Sequence, residues 1–145
     1  MVSDILLEKG SAVHQIDALA TVFEAIEAMV QHGIGALVVV EAGALVGMLT
    51  ERDYLRKVAL AGRTSRTTLV REIMSAPIIS VRPVDEVDHC LALMVERRVR
   101  HLPVLEQGQL VGLVSMGDLV RQKVQDKQVE INRLVEYIQT AAAPA

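Results

Sequence analysis

A heptapeptide near the middle of this chain returns near its end: Gly47-Met48-Leu49-Thr50-Glu51-Arg52-Asp53 is answered 65 positions later by Gly112-Leu113-Val114-Ser115-Met116-Gly117-Asp118. The register holds without a gap, because Val22, Met29, Val30, Leu37, Val39, Glu41, Gly43, Leu45, Val46, Gly47, Asp53 and Arg56 all recur identically at the same offset. Internal repetition of this kind builds similar units that bury a common core. Closer to the amino end the spacing becomes 68, with Val2-Ser3-Asp4-Ile5-Leu6 answered by Val70-Arg71-Glu72-Ile73-Met74. The first copy therefore carries three extra residues around Lys9 to Ser11, and insertions of that size usually lie in loops.

Each copy is about 60 residues long, marginal for independent stability, so the two halves of this 145-residue chain are expected to share a core. Hydrophobic residues make up 51% of the chain but aromatics only 2%. The core must then be aliphatic, and the stacking platforms that hold single-stranded nucleic acid are missing. A formal charge of −3 argues against a dedicated polyanion binder, although a local basic cluster can hold one phosphate group. Cys90 is the only cysteine, which excludes an internal disulfide and any Cys-rich zinc site. The first residues lack a basic segment followed by an apolar one, and the apolar run from Ile34 to Val40 is too short to cross a bilayer. These features predict a cytoplasmic protein with neither membrane nor nucleic-acid partners.

Both copies carry their signals in one order. Val22, Ala25, Ile26, Met29 and Val30 recur at helical spacing, as do Val87, Cys90, Leu91, Met94 and Val95. Two apolar runs separated by a Gly turn follow each helix, at 36–40 and 45–49, then at 102–105 and 110–114. These read as adjacent strands, with Pro103, which lacks an N–H, at a strand start or edge. A second helix opens near Glu51 and near Met116, with Thr50 and Ser115 as N-caps. Val13 to Ile16 and Ile78 to Val81 supply one further strand per copy. The pattern predicts a mixed α/β (α+β) chain of two tandem β-α-β-β-α units: residues 1–62, a polar linker at 63–69, and residues 70–125. A helical extension with apolar residues near a 3.5-residue repeat runs over 126–140, and 141–145 form a frayed tail.

The doubled Gly-hydrophobic-x-Thr/Ser-x-x-Asp signature, the Glu51-Arg52-Asp53 variant and the run Arg100-His101-Leu102-Pro103-Val104 resemble the paired cystathionine-β-synthase (CBS) domain, or Bateman module. The resemblance covers about Val2 to Lys123, and is nearest to small stand-alone bacterial members. It implies two units packed about a pseudo-twofold axis, clefts for an adenine nucleotide (AMP foremost, or ATP, NADH or S-adenosylmethionine), and a homodimer. It also implies cleft positions for Gly47, Thr50, Arg52, Asp53, Arg100, His101, Pro103, Gly112, Ser115 and Asp118.

The chemistry of those residues agrees. A helix start favours an anionic phosphate, Thr50 and Ser115 offer hydroxyls beside it, and Asp53 and Asp118 can accept hydrogen bonds from both hydroxyls of a ribose. Gly47 and Gly112 would let the backbone approach the ligand. Thr-x-x-Asp and Ser-x-x-Asp are equally capping boxes, which fasten helix starts without any ligand. Arg97, Arg98, Arg100 and His101 replace His32, Gly33, Gly35 and Ala36 of the first copy, so phosphate should prefer their neighbourhood. Arg97 and Arg98 read more simply as a solvated helix end, while Arg52 divides evenly between phosphate contact and plain exposure. His14, His32, His89 and His101 show no metal-ligand spacing, and Cys90 falls on a buried stripe. No nucleophile, base or metal site assembles. The leading expectation is a non-catalytic nucleotide sensor; the rival is an interaction module with empty clefts, acting through dimerisation or its carboxyl-terminal helix.

Overall fold

The computed structural model describes residues 1–142. In chain order the elements are α1 (Val2–Lys9), β1 (Gln15–Asp17), α2 (Val22–His32), β2 (Ala36–Glu41), β3 (Ala44–Thr50), α3 (Glu51–Tyr54), α4 (Val70–Ile73), α5 (Val87–Arg97), β4 (His101–Glu106), β5 (Gln109–Ser115) and α6 (Met116–Ala142). A π-helical stretch at Leu55–Ala59 follows α3 directly. Repetition reaches down to the irregularities. Each antiparallel pair, β2–β3 and β4–β5, breaks register at the same place, between Val39 and Val40 and between Val104 and Leu105.

The expected third strand forms in one copy only. β1 runs parallel to β2, close to the predicted Val13–Ile16 segment, whereas Ile78–Val81 contributes one bridge, from Val81 to Val104. Pro103 explains the difference. In the first copy the Val38 amide donates to the His14 carbonyl at 3.2 Å. The residue matching Val38 is Pro103, which has no N–H to donate, so the ladder shrinks to the bonds that Val81 makes with Pro103 and Leu105.

A second difference concerns Val2–Leu6 and Val70–Met74, which form α1 and α4. These helices are exchanged between the copies. Val2 and Ile5 lie in one aliphatic core with Val87, Cys90, Met94, Leu102 and Val114, while Val70 and Ile73 lie in the other with Val22, Ala25, Met29, Leu37 and Leu49. Backbone bonds fix the exchange: Val2 and Ser3 donate to Asp85 and Pro83, and Val70 and Arg71 donate to Ala20 and Ala18, each at 2.8–2.9 Å. A third cluster, Ala36, Val38 and Met48 against Leu110 and Leu113, joins the two sheets and supplies the shared core.

The predicted buried stripes are present, except that Val30 and Val95, at matching positions, both face solvent. Nor is the linker loose: Thr68 is buried, and the Thr68 and Ser65 carbonyls accept from the first amides of α2. Arg66 lies over the Phe23 ring, 3.9 Å from its centroid. The extension is continuous with α6 through Ala142. The expectation of a frayed tail concerns, from residue 143 onward, positions outside the described residues.

Gly47 and Gly112 are required where the exchanged helices cross the sheets. A Cβ on Gly47 would stand 2.9 Å from the Ser75 carbonyl oxygen and 2.8 Å from Met74 Sδ; one on Gly112 would meet Leu6 Cδ2 at 2.5 Å. Both substitutions to alanine should destabilise by roughly 1–3 kcal/mol in urea unfolding. Gly47→Ala should cost more than Gly112→Ala, because the Ser75 carbonyl belongs to the backbone and Leu6 can change rotamer.

Candidate functional site

Both predicted capping boxes are formed. Thr50 Oγ1 accepts from the Asp53 amide at 3.2 Å while Asp53 Oδ2 accepts from the Thr50 amide at 3.0 Å. Ser115 and Asp118 repeat this at 3.1 and 2.9 Å. Each box draws its carboxylate inward, leaving Asp53 and Asp118 only 8% exposed. The oxygen outside the box has different company in the two copies. Asp53 Oδ1 accepts from Ser75 Oγ at 3.2 Å and lies 3.3 Å from Lys57 Nζ. Asp118 Oδ1 is held by Arg121 at 2.6 Å, and Lys9 Nζ reaches Oδ2 at 2.7 Å.

Beside Asp53 lies a cleft of about 670 Å³. The first copy contributes Met48, Thr50, Glu51, Arg52, Leu55, Arg56 and Lys57, the second Arg98, Val99, Arg100 and His101. Ser75, Pro77, Ile78 and Ile79 close it from between the copies. The basic residues of the second copy thus face the Thr-x-x-Asp junction of the first. Four arginines and a lysine meet two carboxylates, in a chain whose net charge is −3. None of these arginines joins an ion pair among the described residues. Thr50, Ser75 and His101 add polar groups, and the rest of the lining is apolar, with Leu55 half exposed within it.

Of the residues singled out in the sequence, Thr50, Arg52, Asp53, Arg98, Arg100 and His101 meet at this cleft; of the two arginines read as a solvated helix end, Arg97 does not line it and Arg98 does. Gly47 and Gly112 admit the exchanged helices rather than opening onto the cleft, and Pro103 is buried within β4. Ser115 and Asp118 stand apart at the start of α6. Arg56, Lys57, Ser75 and Pro77–Ile79 escaped the sequence reading. For Arg56 the signal was its identical recurrence as Arg121, and for Ser75, 22 residues beyond Asp53, there was none.

Arg98 carries a backbone signature as well. It ends α5 in the left-handed region, at φ 56°, where the matching residue of α2 is Gly33 at φ 63°. A residue with a Cβ is disfavoured there by roughly 1–2 kcal/mol.

His101 is tuned by its surroundings. Burial lowers its pKa, aided by Lys9 and Arg100 and opposed by Asp118 and Glu51. Burial alone would raise the Asp118 pKa, yet the hydrogen bonds from Lys9 and Ser115 outweigh it and hold the carboxyl below its ordinary value. Cys90 is a core residue whose thiol burial pushes up to about 11. No group of three or more His, Cys, Asp or Glu among the described residues is placed to hold a metal ion.

The CBS domain family model matches residues 2–60 and 70–124, most of the chain. The chain belongs to the CBS domain family. It is 41% identical to the CBS domain-containing protein CBSX3, mitochondrial, of Arabidopsis thaliana over 147 residues, covering 95% of this chain and 71% of that protein. A structure from Burkholderia ambifaria MC40-6, described as a signal-transduction protein with CBS domains, superposes with a TM-score of 0.84 at 46% identity, covering 86% of this chain and 94% of that one. A CBS-domain protein of Agrobacterium tumefaciens gives 0.80 at 34% identity, covering 84% and 92%. The chain is thus a small tandem CBS pair, an arrangement common in regulatory modules. No described helix is long and apolar enough to cross a membrane.

The depressed His101 pKa makes folding sensitive to acid. In the unfolded chain His101 takes up a proton near pH 6.5, in the folded chain only at lower pH, so its contribution to stability is lost as pH falls below about 6.5. Urea titrations between pH 7.5 and 5 should show this decline, and His101→Gln should flatten it.

Proposed function

We propose that this CBS pair is a non-catalytic sensor that binds an adenine nucleotide in the cleft beside Asp53, and that binding alters its shape or its affinity for a partner. The supporting observation is the convergence of Arg52, Arg56, Arg98 and Arg100, none of them ion-paired among the described residues, on one cleft of an acidic chain. Its volume of about 670 Å³ lies within the usual range for small-ligand pockets. Met48, Leu55, Pro77, Ile78 and Val99 provide apolar surface for the base. Asp53 Oδ1, held by two longer contacts, is the acceptor for ribose hydroxyls. The arginines and the Thr50 hydroxyl take the phosphates. AMP, ATP and NADH suit this set; S-adenosylmethionine, with its sulfonium cation and no phosphate, suits it least. The backbone of Arg98 points the same way, since a guanidinium is retained where glycine would relieve strain.

Isothermal titration with AMP, ATP, NADH and S-adenosylmethionine tests the reading, and an absence of heat with all four at millimolar ligand would overturn it. Arg98→Gly separates binding from capping. It should stabilise the fold by about 1 kcal/mol while weakening nucleotide binding roughly tenfold, equivalent to about 1.4 kcal/mol. A variant that gains stability with unchanged affinity would return Arg98 to a plain helix end.

One observation favours a second role, self-association through α6. From Val124 to Ala141 every side chain of α6 is exposed, and an isolated helix of that length is marginal in water. Val124, Ile131 and Ile138 fall at successive a positions of a heptad, with Val120 and Leu134 at d. Branched residues at a with leucine at d suit two parallel strands, so the occupant of this stripe is α6 of a second copy. Lys127, at the d position between Val120 and Leu134, interrupts the apolar stripe and pairs with Glu130 on its own helix. Truncation after Lys127 should convert dimer to monomer in analytical ultracentrifugation and leave nucleotide binding intact. A truncated chain that remained dimeric would remove α6 from the interface.

A further inference from the structure

The two helix starts share a capping box but not an occupant. α1 has eight residues where α4 has four, and the additional turn carries Lys9 across to the other copy. There Lys9 Nζ donates to Asp118 Oδ2 at 2.7 Å and to the Leu113 carbonyl at 3.0 Å. Arg121 closes the other side of the same carboxylate, while its repeat counterpart Arg56 lines the open cleft without an ion pair. Around Asp53 the exchanged segment brings the neutral Ser75 hydroxyl instead. The three residues by which the copies differ in length thus alter what one carboxylate can accept.

We infer that Lys9 is an internal occupant of the Ser115–Asp118 junction, so that the chain takes up one nucleotide where the repeated signature would offer two places. This rests on the nucleotide reading of the Asp53 cleft. At the Asp118 junction the lone pairs that would receive ribose hydroxyls already receive an ammonium, a guanidinium and the Ser115 amide. A neutral hydroxyl competes poorly with a charged donor for a carboxylate that is nearly buried. Lys9 does not line the open cleft, and its removal leaves Asp118 paired with Arg121.

Titration with ATP, alongside carbodiimide coupling of glycine ethyl ester to carboxylates read by mass spectrometry, tests this on the full chain. The natural chain should bind one ATP and leave Asp118 unlabelled; Lys9→Ala should bind a second ATP and label Asp118. Two ATP per natural chain would overturn the inference, as would a Lys9→Ala chain that still takes only one. Equal labelling of Asp118 in both chains would overturn it independently of ATP. If the natural chain binds no ATP, the nucleotide reading fails, and the labelling contrast alone decides whether Lys9 occupies the junction.

Discussion

Four backbone hydrogen bonds hold the architecture together: Val2 and Ser3 donating to the turn before α5, and Val70 and Arg71 donating to the turn before α2. Each pair satisfies amides at a helix start that would otherwise lack partners. Each also commits a helix to the core of the opposite copy. Two units of about 60 residues, marginal alone, thereby become one body in which neither core is complete without a segment of the other. The glycines of the repeated heptapeptide follow from this, since Met74, Ser75 and Leu6 lie where their side chains would be. So does the position of Ser75 over Asp53, because Ser75 and Met48 exchange backbone hydrogen bonds as α4 leaves the sheet.

A nearly buried carboxylate is costly unless hydrogen-bonded, and the capping box satisfies only part of Asp53 or Asp118. The rest must come from neighbours, and the two copies recruit theirs differently. At Asp118 the answer is two cations at short range. At Asp53 it is a hydroxyl and a more distant lysine, with four arginines nearby that form no ion pair among the described residues. A repeat that shares its capping geometry is therefore asymmetric in charge.

Much of this was legible in the sequence because it is local. Hydrophobic spacing placed α2 and α5, the Gly turns placed both hairpins, and Thr50 and Ser115 marked helix starts whose capping geometry is as drawn from the spacing. The missing third strand was legible in principle: Pro103 announces a lost donor, but its consequence appears only beside Val38, its counterpart in the other copy. The helix exchange was not legible. Val2–Leu6 and Val70–Met74 show which face is apolar, and nothing in either segment says which core that face enters. Nor did the charge pattern place Arg98 and Arg100 in one cleft with Thr50, since that cleft is lined by residues from different copies. Only assembly of the two units brings them together.

Capping and ligand binding look like alternatives at the level of sequence, because both require a hydroxyl and a carboxylate three residues apart. In the site proposed above they draw on different oxygens of Asp53. The box takes the Asp53 amide at Thr50 Oγ1 and the Thr50 amide at Asp53 Oδ2, and the Thr50 hydroxyl itself donates to Oδ2 at 3.2 Å, so Oδ1, with Ser75 Oγ and Lys57 Nζ at 3.2 and 3.3 Å, is the oxygen left outside the box. Holding the carboxylate in one rotamer without a ligand means that, on the proposed reading, little side-chain entropy would remain to be lost on binding a ribose. Capping is in this sense the preorganisation of the site. Arg98 bears on the same proposal: it ends α5 in a conformation that glycine would adopt at less cost, and it lines the cleft beside Asp53.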